Sequence, residues 1–338
     1  MSITILLLIA VIAVALAFEF INGFHDCANA IATVVSTKVL SPKQAVLFGA
    51  SLEFIGALTG TQVAKTIGSG IVNGEMITLT VIFCALLAAV LWNLFTWWLG
   101  LPSSSSHALI GGLLGATIVK AGFSAVHFNT LMDKVIIPMF TSPVLGFCAG
   151  FMLMLLLAWI IVISKAHPDK VNKKFRKLQL LSSGLMALSH GSNDAQKTMG
   201  IITLALMAGG VLHKGPSGEF EIPIYVILAC AITMAAGTMN GGWKIIKTMG
   251  HKIIRLKPIH GFAAETSAAG LILTASHFGI PLSTTHVIST AIMGVGSTLH
   301  AHAVKWKIVG NIVTAWIVTI PACMILSSII YYLIYKII

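Results

Sequence analysis

"GFHDCANA" (23–30) sets His25, Asp26 and Asn29 in an apolar stretch, and "GSNDAQKT" (191–198) sets Asp194 and Lys197 in another. An ionisable side chain at bilayer depth costs at least ~2.5–3.5 kcal/mol on insertion scales, so each needs a partner or an aqueous cavity. Five of the ten acids, Glu19, Asp26, Glu53, Asp194 and Glu265, stand in such stretches, whereas Glu75, Asp133, Asp169, Glu219 and Glu221 read as loop residues. For Glu19, Glu53 and Glu265 taken singly, an interhelical hydrogen bond competes with a functional role. Asp26 and Asp194 hold corresponding places, each a few residues after a glycine, and there the functional reading is favoured.

The complementary chemistry lies in "SSSSH" (103–107) and "STTH" (283–286). A proline opens each stretch, which suits the first turn of a helix. Free backbone N–H groups, the helix dipole and a row of hydroxyls make an anion site without a fixed positive charge. The competing reading is that small residues merely let helices pack closely. For His107 and His286, packing, orientation of a hydroxyl and proton carriage all stay open. A small oxyanion between two helix starts would repel the nearby carboxylates unless cations sat between them. Oxygens of Asp26, Asn29 and Asp194, with carbonyls freed by a helix break expected at Gly23, suit Na⁺. Protonated carboxylates would relieve the repulsion equally well. In either case anion and cation load together, which is symport.

The elements that position these residues are membrane helices. Of 338 residues, 57% are hydrophobic and 9% charged, against roughly 25% charged in soluble domains. Runs such as 77–99, 144–163 and 308–335 reach the ~20 residues a crossing needs. The first apolar run has no basic residue before it, so it reads as a retained helix rather than a signal peptide. The net charge of +11 is concentrated: 165–177 and 244–257 hold 11 of the 21 basic residues, the pattern of cytoplasmic loops facing lipid headgroups rather than a nucleic-acid surface. Cys27, Cys84, Cys148, Cys230 and Cys323 have neither metal-ligand nor disulfide spacing.

The chain also repeats itself. "KTIG" (65–68) aligns with "KTMG" (247–250), "LPSSSSHALIGGLLG" (101–115) with "IPLSTTHVISTAIMG" (280–294), and the two Asp stretches with each other, at offsets of 182, 179 and 168. The repeats span 1–164 and 178–338, joined by a basic cytoplasmic linker, 165–177. The loop 36–44 is basic while its counterpart 213–223 is acidic, and the charge around the KT-G segments reverses the same way, so the repeats are expected in opposite orientation. The expected fold is an all-α polytopic membrane protein of two inverted-topology repeats, with broken helices and serine-rich re-entrant hairpins. The number of crossings within 101–163 stays open, because 131–163 reads as one helix or as two around Ser142-Pro143.

At these residues the chain resembles the inorganic phosphate transporter (PiT) family over nearly its whole length. "NGFHDCANAIATVVSTK" and "HGSNDAQKTMG" are similar to the family's two signatures, "LPSSSSHALIGG" and "IPLSTTHVIS" to its hairpins. The resemblance implies a homodimeric phosphate transporter in the bacterial or archaeal cell membrane, with no covalent cofactor. It implies Asp26, Asn29, Asp194, Ser104, Ser105, Ser106, Ser283, Thr284 and Thr285 as site residues, and Glu53 and Glu265 as functionally sensitive glutamates. Glu53, Glu265, His107 and His286 are the candidates for coupling or gating. Lys197 stands where the first repeat has Asn29, so its ammonium either takes a cation position on that side or contacts phosphate.

Other functions fit less of the chain. Sulfate lacks the P–OH that a site acceptor such as an aspartate would bind, which weakly favours phosphate. A serine hydrolase would need more than adjacent Ser106-His107 or Thr285-His286, and neither carries a nucleophile elbow. A divalent-metal transporter built on His25, Asp26, His190 and Asp194 leaves the serine rows unexplained, although a metal–phosphate complex would join both readings.

Overall fold

The computed structural model describes residues 2–73, 76–213, 220–299 and 301–337; Glu75 and Glu219 lie outside them. The helices run in the order α1 (Ile3–Ser36), α2 (Pro42–Ala57), α3 (Gln62–Lys65), α4 (Leu79–Leu99), α5 (Ser105–Ala121), α6 (Phe128–Leu131), α7 (Ile137–Ser164), α8 (Pro168–Ala208), α9 (Ile224–Asn240), α10 (Trp243–Lys247), α11 (Pro258–His277), α12 (Thr284–Ser297) and α13 (Trp306–Ile337). Beyond helices, the described residues contain one isolated β-bridge, Val72 to Val126.

Four helical stretches are long and apolar enough to cross a bilayer: 3–36, 79–99, 128–164 and 306–336. Two bent pairs add up to two more, α2 with α3 at 66° and α9 with α10 at 61°. Each short helix of a pair passes at its lysine, Lys65 or Lys247, into a π-helical turn, Thr66–Gly70 or Thr248–Lys252. The "KTIG" and "KTMG" segments thus mark the same local structure twice. Large apolar side chains, including Trp98, Phe140, Trp159 and Ile325, are exposed on the outer helices, as a lipid-facing surface requires.

Local sequence explains the boundaries. Ser41 and Gln44 form a reciprocal capping box behind Pro42, which starts α2. Gly100 (φ +68°) and Gly279 (φ +63°) turn the chain sharply after α4 and α11, a conformation glycine adopts without penalty. The stretches that follow return as α5 and α12, of 17 and 14 residues, short of the ~20 residues of a typical crossing. These are the serine-rich hairpins. Pro102 and Pro281 do not open the first helical turn as expected; each lies two residues ahead of the N-cap, Ser104 or Ser283.

The segment 128–164 is one continuous helical run, with Pro143 inside it. Asp133 and Asp169 are not loop residues: Asp133 sits in a π-turn before α7 and Asp169 in the first turn of α8. Both are exposed, and a carboxylate is favourable at a helix start. Most of the basic segment 165–177 belongs to the start of α8.

Packing exchanges partners between the halves. α1 lies against α9 and α2 against α8; α7 covers α11 and α12, while α13 covers α4 and α5. A break at Gly23 is the expectation the structure overturns: α1 runs unbroken from Ile3 to Ser36. A Cβ on Gly23 would lie 2.3 Å from the Met234 carbonyl oxygen, and one on Gly191 would lie 2.1 Å from that of Glu53. Both glycines serve close helix approach, α1 on α9 and α8 on α2. The chain breaks at 58–61, 241–242 and ahead of the hairpin helices instead.

Candidate functional site

Unbroken α1 and α8 bring their polar turns to the centre, where the starts of α5 and α12 meet them. Asp26 takes the Ser105 hydroxyl on Oδ2 (2.7 Å), His25 Nδ1 on Oδ1 (2.7 Å) and, more distantly, the Thr285 hydroxyl (3.5 Å). Asn29 Nδ2 donates to Thr285 (2.9 Å) and Thr284 (3.2 Å). On the other side Thr284 donates to Asp194 Oδ2 (3.1 Å), and Lys197 Nζ donates to Asp194 Oδ1 (2.5 Å), Ser106 Oγ (2.5 Å) and the Leu282 carbonyl (3.0 Å). Each helix start thus touches the acid-bearing helices.

Of the two serine rows, Ser104 and Ser283 serve as N-caps: their hydroxyls accept from the amides of His107 (3.2 Å) and His286 (3.3 Å). Of the hydroxyls at the next two positions of each row, Ser105, Thr284 and Thr285 face the acids, whereas Ser106 meets Lys197 and the Leu282 carbonyl. None of Asp26, Asn29, Ser104–Ser106, Asp194, Lys197 or Ser283–Thr285 is more than 3% exposed. The site is closed to both sides, and loading it requires helices to move.

Single atoms of Asp26, His190 and Asp194 lie within 4.8 Å of one another, an arrangement that can hold a cation. His190 Nε2 is 3.2 Å from Asp194 Oδ2, and its Nδ1 is 2.8 Å from Glu53 Oε1. Glu53 also accepts from Thr238, so α2 and α9 are tied through His190 to the centre. His25 stays outside this cluster, because Nε2 is held by Thr96 at 3.1 Å. Its counterpart Asn193 does the same on the other side, donating to Ser276 (2.8 Å) at the end of α11.

Glu265 accepts from Thr33, Ser182 and Gln179 (3.2 Å), joining α1, α8 and α11. Glu19 accepts from Thr198. His107 and His286 meet edge to face with ring centroids 4.8 Å apart, and Trp316 stacks on His286 at 4.0 Å.

Sequence reasoning passed over Asn22, whose Oδ1 accepts from Ser105 (2.7 Å), and gave His190 only a metal role. A signal was present: the two residues correspond, each standing immediately before Gly23 or Gly191. Thr96, Gln179 and Thr238 carried none, being isolated polar residues of common types.

A multi-pass helical bundle whose buried charges converge on two helix starts, in a centre closed to both sides, is a membrane transporter. A model of the phosphate transporter family matches residues 22–327, and the chain belongs to that family. It is 47% identical over 327 residues to a probable low-affinity inorganic phosphate transporter of Rhizobium meliloti (strain 1021), covering 96% of each chain. It is 44% identical over 339 residues to a protein of the same description from Bacillus subtilis (strain 168), covering 98% of each. Among solved structures, the sodium-dependent phosphate transporter superposes with a TM-score of 0.87 at 26% identity, covering 98% of this chain and all of that one.

Proposed function

We propose that this transporter imports inorganic phosphate by symport with a monovalent cation, Na⁺ in the first place and H⁺ as the alternative. The convergence of Asp26 and Asp194 on hydroxyls at the starts of α5 and α12 carries the reading. Hydroxyls and free helix N–H groups receive the anion, and the carboxylates hold the cation that makes its approach favourable. The two halves insert in opposite orientation and alternate access by moving against each other around the closed centre. The working unit is a homodimer in the cell membrane. The name of the structural neighbour supports sodium as the coupling ion. Binding of phosphate needs no covalent cofactor.

The Asp26–His190–Asp194 cluster favours one second reading, in which phosphate enters as a complex with a divalent metal. Labelled-phosphate uptake into proteoliposomes separates these. A Na⁺ gradient alone should drive uptake that excess sulfate leaves intact. Uptake driven only by a proton gradient would make H⁺ the coupling ion, and an absolute need for divalent metal would favour the complex. Strong competition by sulfate would remove phosphate selectivity.

A further inference from the structure

Lys197 breaks the correspondence between the halves. Its ammonium has three oxygen partners: the Asp194 carboxylate (2.5 Å), the Ser106 hydroxyl (2.5 Å) and the Leu282 carbonyl (3.0 Å). A carboxylate, a hydroxyl at one helix start and a main-chain carbonyl ahead of the other make a ligand set for a hard monovalent cation. Here the positive charge arrives on a side chain that is itself 2% exposed.

The other half repeats the carboxylate and the hydroxyl of this frame without the charge. By the alignment of the repeats, Asp26 answers to Asp194, Thr285 to Ser106, Ser103 to Leu282, and Asn29 to Lys197. The Asn29 amide nitrogen is spent on Thr284 and Thr285. Its Oδ1 is buried and accepts no hydrogen bond among the described residues, and a buried acceptor without a partner is costly. The base bonded to Asp26 is His25, its chain neighbour, at 2.7 Å, charged only when protonated; Asp194 has His190, one helical turn before it, at 3.2 Å and Lys197 in addition. One side therefore offers an anionic oxygen and a free acceptor to a mobile cation. The other is filled from within the chain.

We propose that the Lys197 ammonium is a resident substitute for one of two coupling cations. Each phosphate then travels with one monovalent cation, where a chain with asparagine at this place would take two. This rests on the cation-coupled reading of the site. A resident charge needs no loading and is not released, so it helps bind the anion while adding nothing to the driving force. The expected result is a transporter that spends less of the cation gradient per phosphate and concentrates phosphate less steeply.

The test is equilibrium binding of labelled phosphate to the purified full chain. One series varies Na⁺ at fixed pH, and another varies pH at fixed Na⁺, corrected for phosphate's own ionisation. For the unaltered protein the logarithm of affinity should rise with slope one against one of the two cations. Lys197→Asn should raise the summed slope to two, and Lys197→Arg, which keeps the charge, should leave it at one. Weaker binding by Lys197→Asn with an unchanged slope would make Lys197 only a phosphate ligand and overturn the inference. Should Lys197→Asn fail to fold, a slope of two in the unaltered protein would overturn it by itself. A slope of zero against both cations would instead remove the symport reading on which it stands.

Discussion

Asn29 on α1 donates to Thr285 at the start of α12 across 2.9 Å, although 256 residues separate them. This contact joins the signature of one half to the hairpin of the other. With its counterpart, Lys197 to Ser106, it makes the centre a joint property of both repeats.

Removing either carboxylate should stop transport, but with different effects on the fold. Asp26→Asn and Asp194→Asn are each expected to lower phosphate uptake at least tenfold, because the proposed symport needs both buried carboxylates charged. Asp194→Asn also strands the Lys197 ammonium, and breaking a buried pair from one side costs about 3–5 kcal/mol. Its melting temperature in detergent should fall clearly below that of Asp26→Asn. Wild-type-like uptake by both variants would place the site elsewhere.

The hydroxyls at the helix starts should act on affinity. A hydrogen bond to a charged group is worth about 1.5–3 kcal/mol. Ser105→Ala and Thr284→Ala are therefore expected to raise the phosphate concentration for half-maximal uptake about ten- to a hundredfold. Ser104→Ala and Ser283→Ala lose an N-cap instead, costing about 1 kcal/mol of stability, and should show chiefly in the melting temperature. Equal affinity losses at all four positions would contradict this division of roles.

Asn22 and Asp26 share one hydroxyl, that of Ser105, at 2.7 Å each. Truncating both members of such a contact is not additive, with coupling of about 0.5–3 kcal/mol between touching residues. Asn22→Ala should weaken phosphate uptake less than Ser105→Ala, and the double variant should resemble Ser105→Ala. Fully multiplicative losses across the cycle would show that Asn22 acts independently.

Gly23 and Gly191 permit backbone-to-backbone approach and do not break helices. Alanine at either would meet a carbonyl oxygen at 2.3 or 2.1 Å, and forcing extra volume into a tight contact typically costs about 1–3 kcal/mol. Both variants should melt earlier. Gly191→Ala should also impair uptake more, since it displaces the backbone of Glu53 beside His190. A Gly23→Ala protein as stable as the original would contradict the close contact of α1 with α9 there.

Much of the site was legible because a membrane makes polarity conspicuous. Asp26, Asp194, Glu53 and Glu265 stood out by cost alone, and duplication distinguished the first two from ordinary interhelical hydrogen bonds. The serine rows were legible as helix starts, although which hydroxyls cap and which face the acids depends on the turn of α5 and α12. Gly23 was misread because glycine marks both a break and a close contact. Only the neighbouring helix tells these apart, here through the Met234 carbonyl.

The sequence by itself determined the bilayer as solvent, the helical class, the repeat and the charged residues that had to find partners. Tertiary structure alone decided who those partners are: His190 between Glu53 and Asp194, Asn22 beside Ser105, Lys197 on Ser106 and Leu282. The physical reason is range. Hydropathy and helix capping act over a few neighbouring residues and are written along the chain. A hydrogen bond between α1 and α12 or α8 and α5 exists only once helix packing, set by glycine contacts and exchanged partners, has closed the distance.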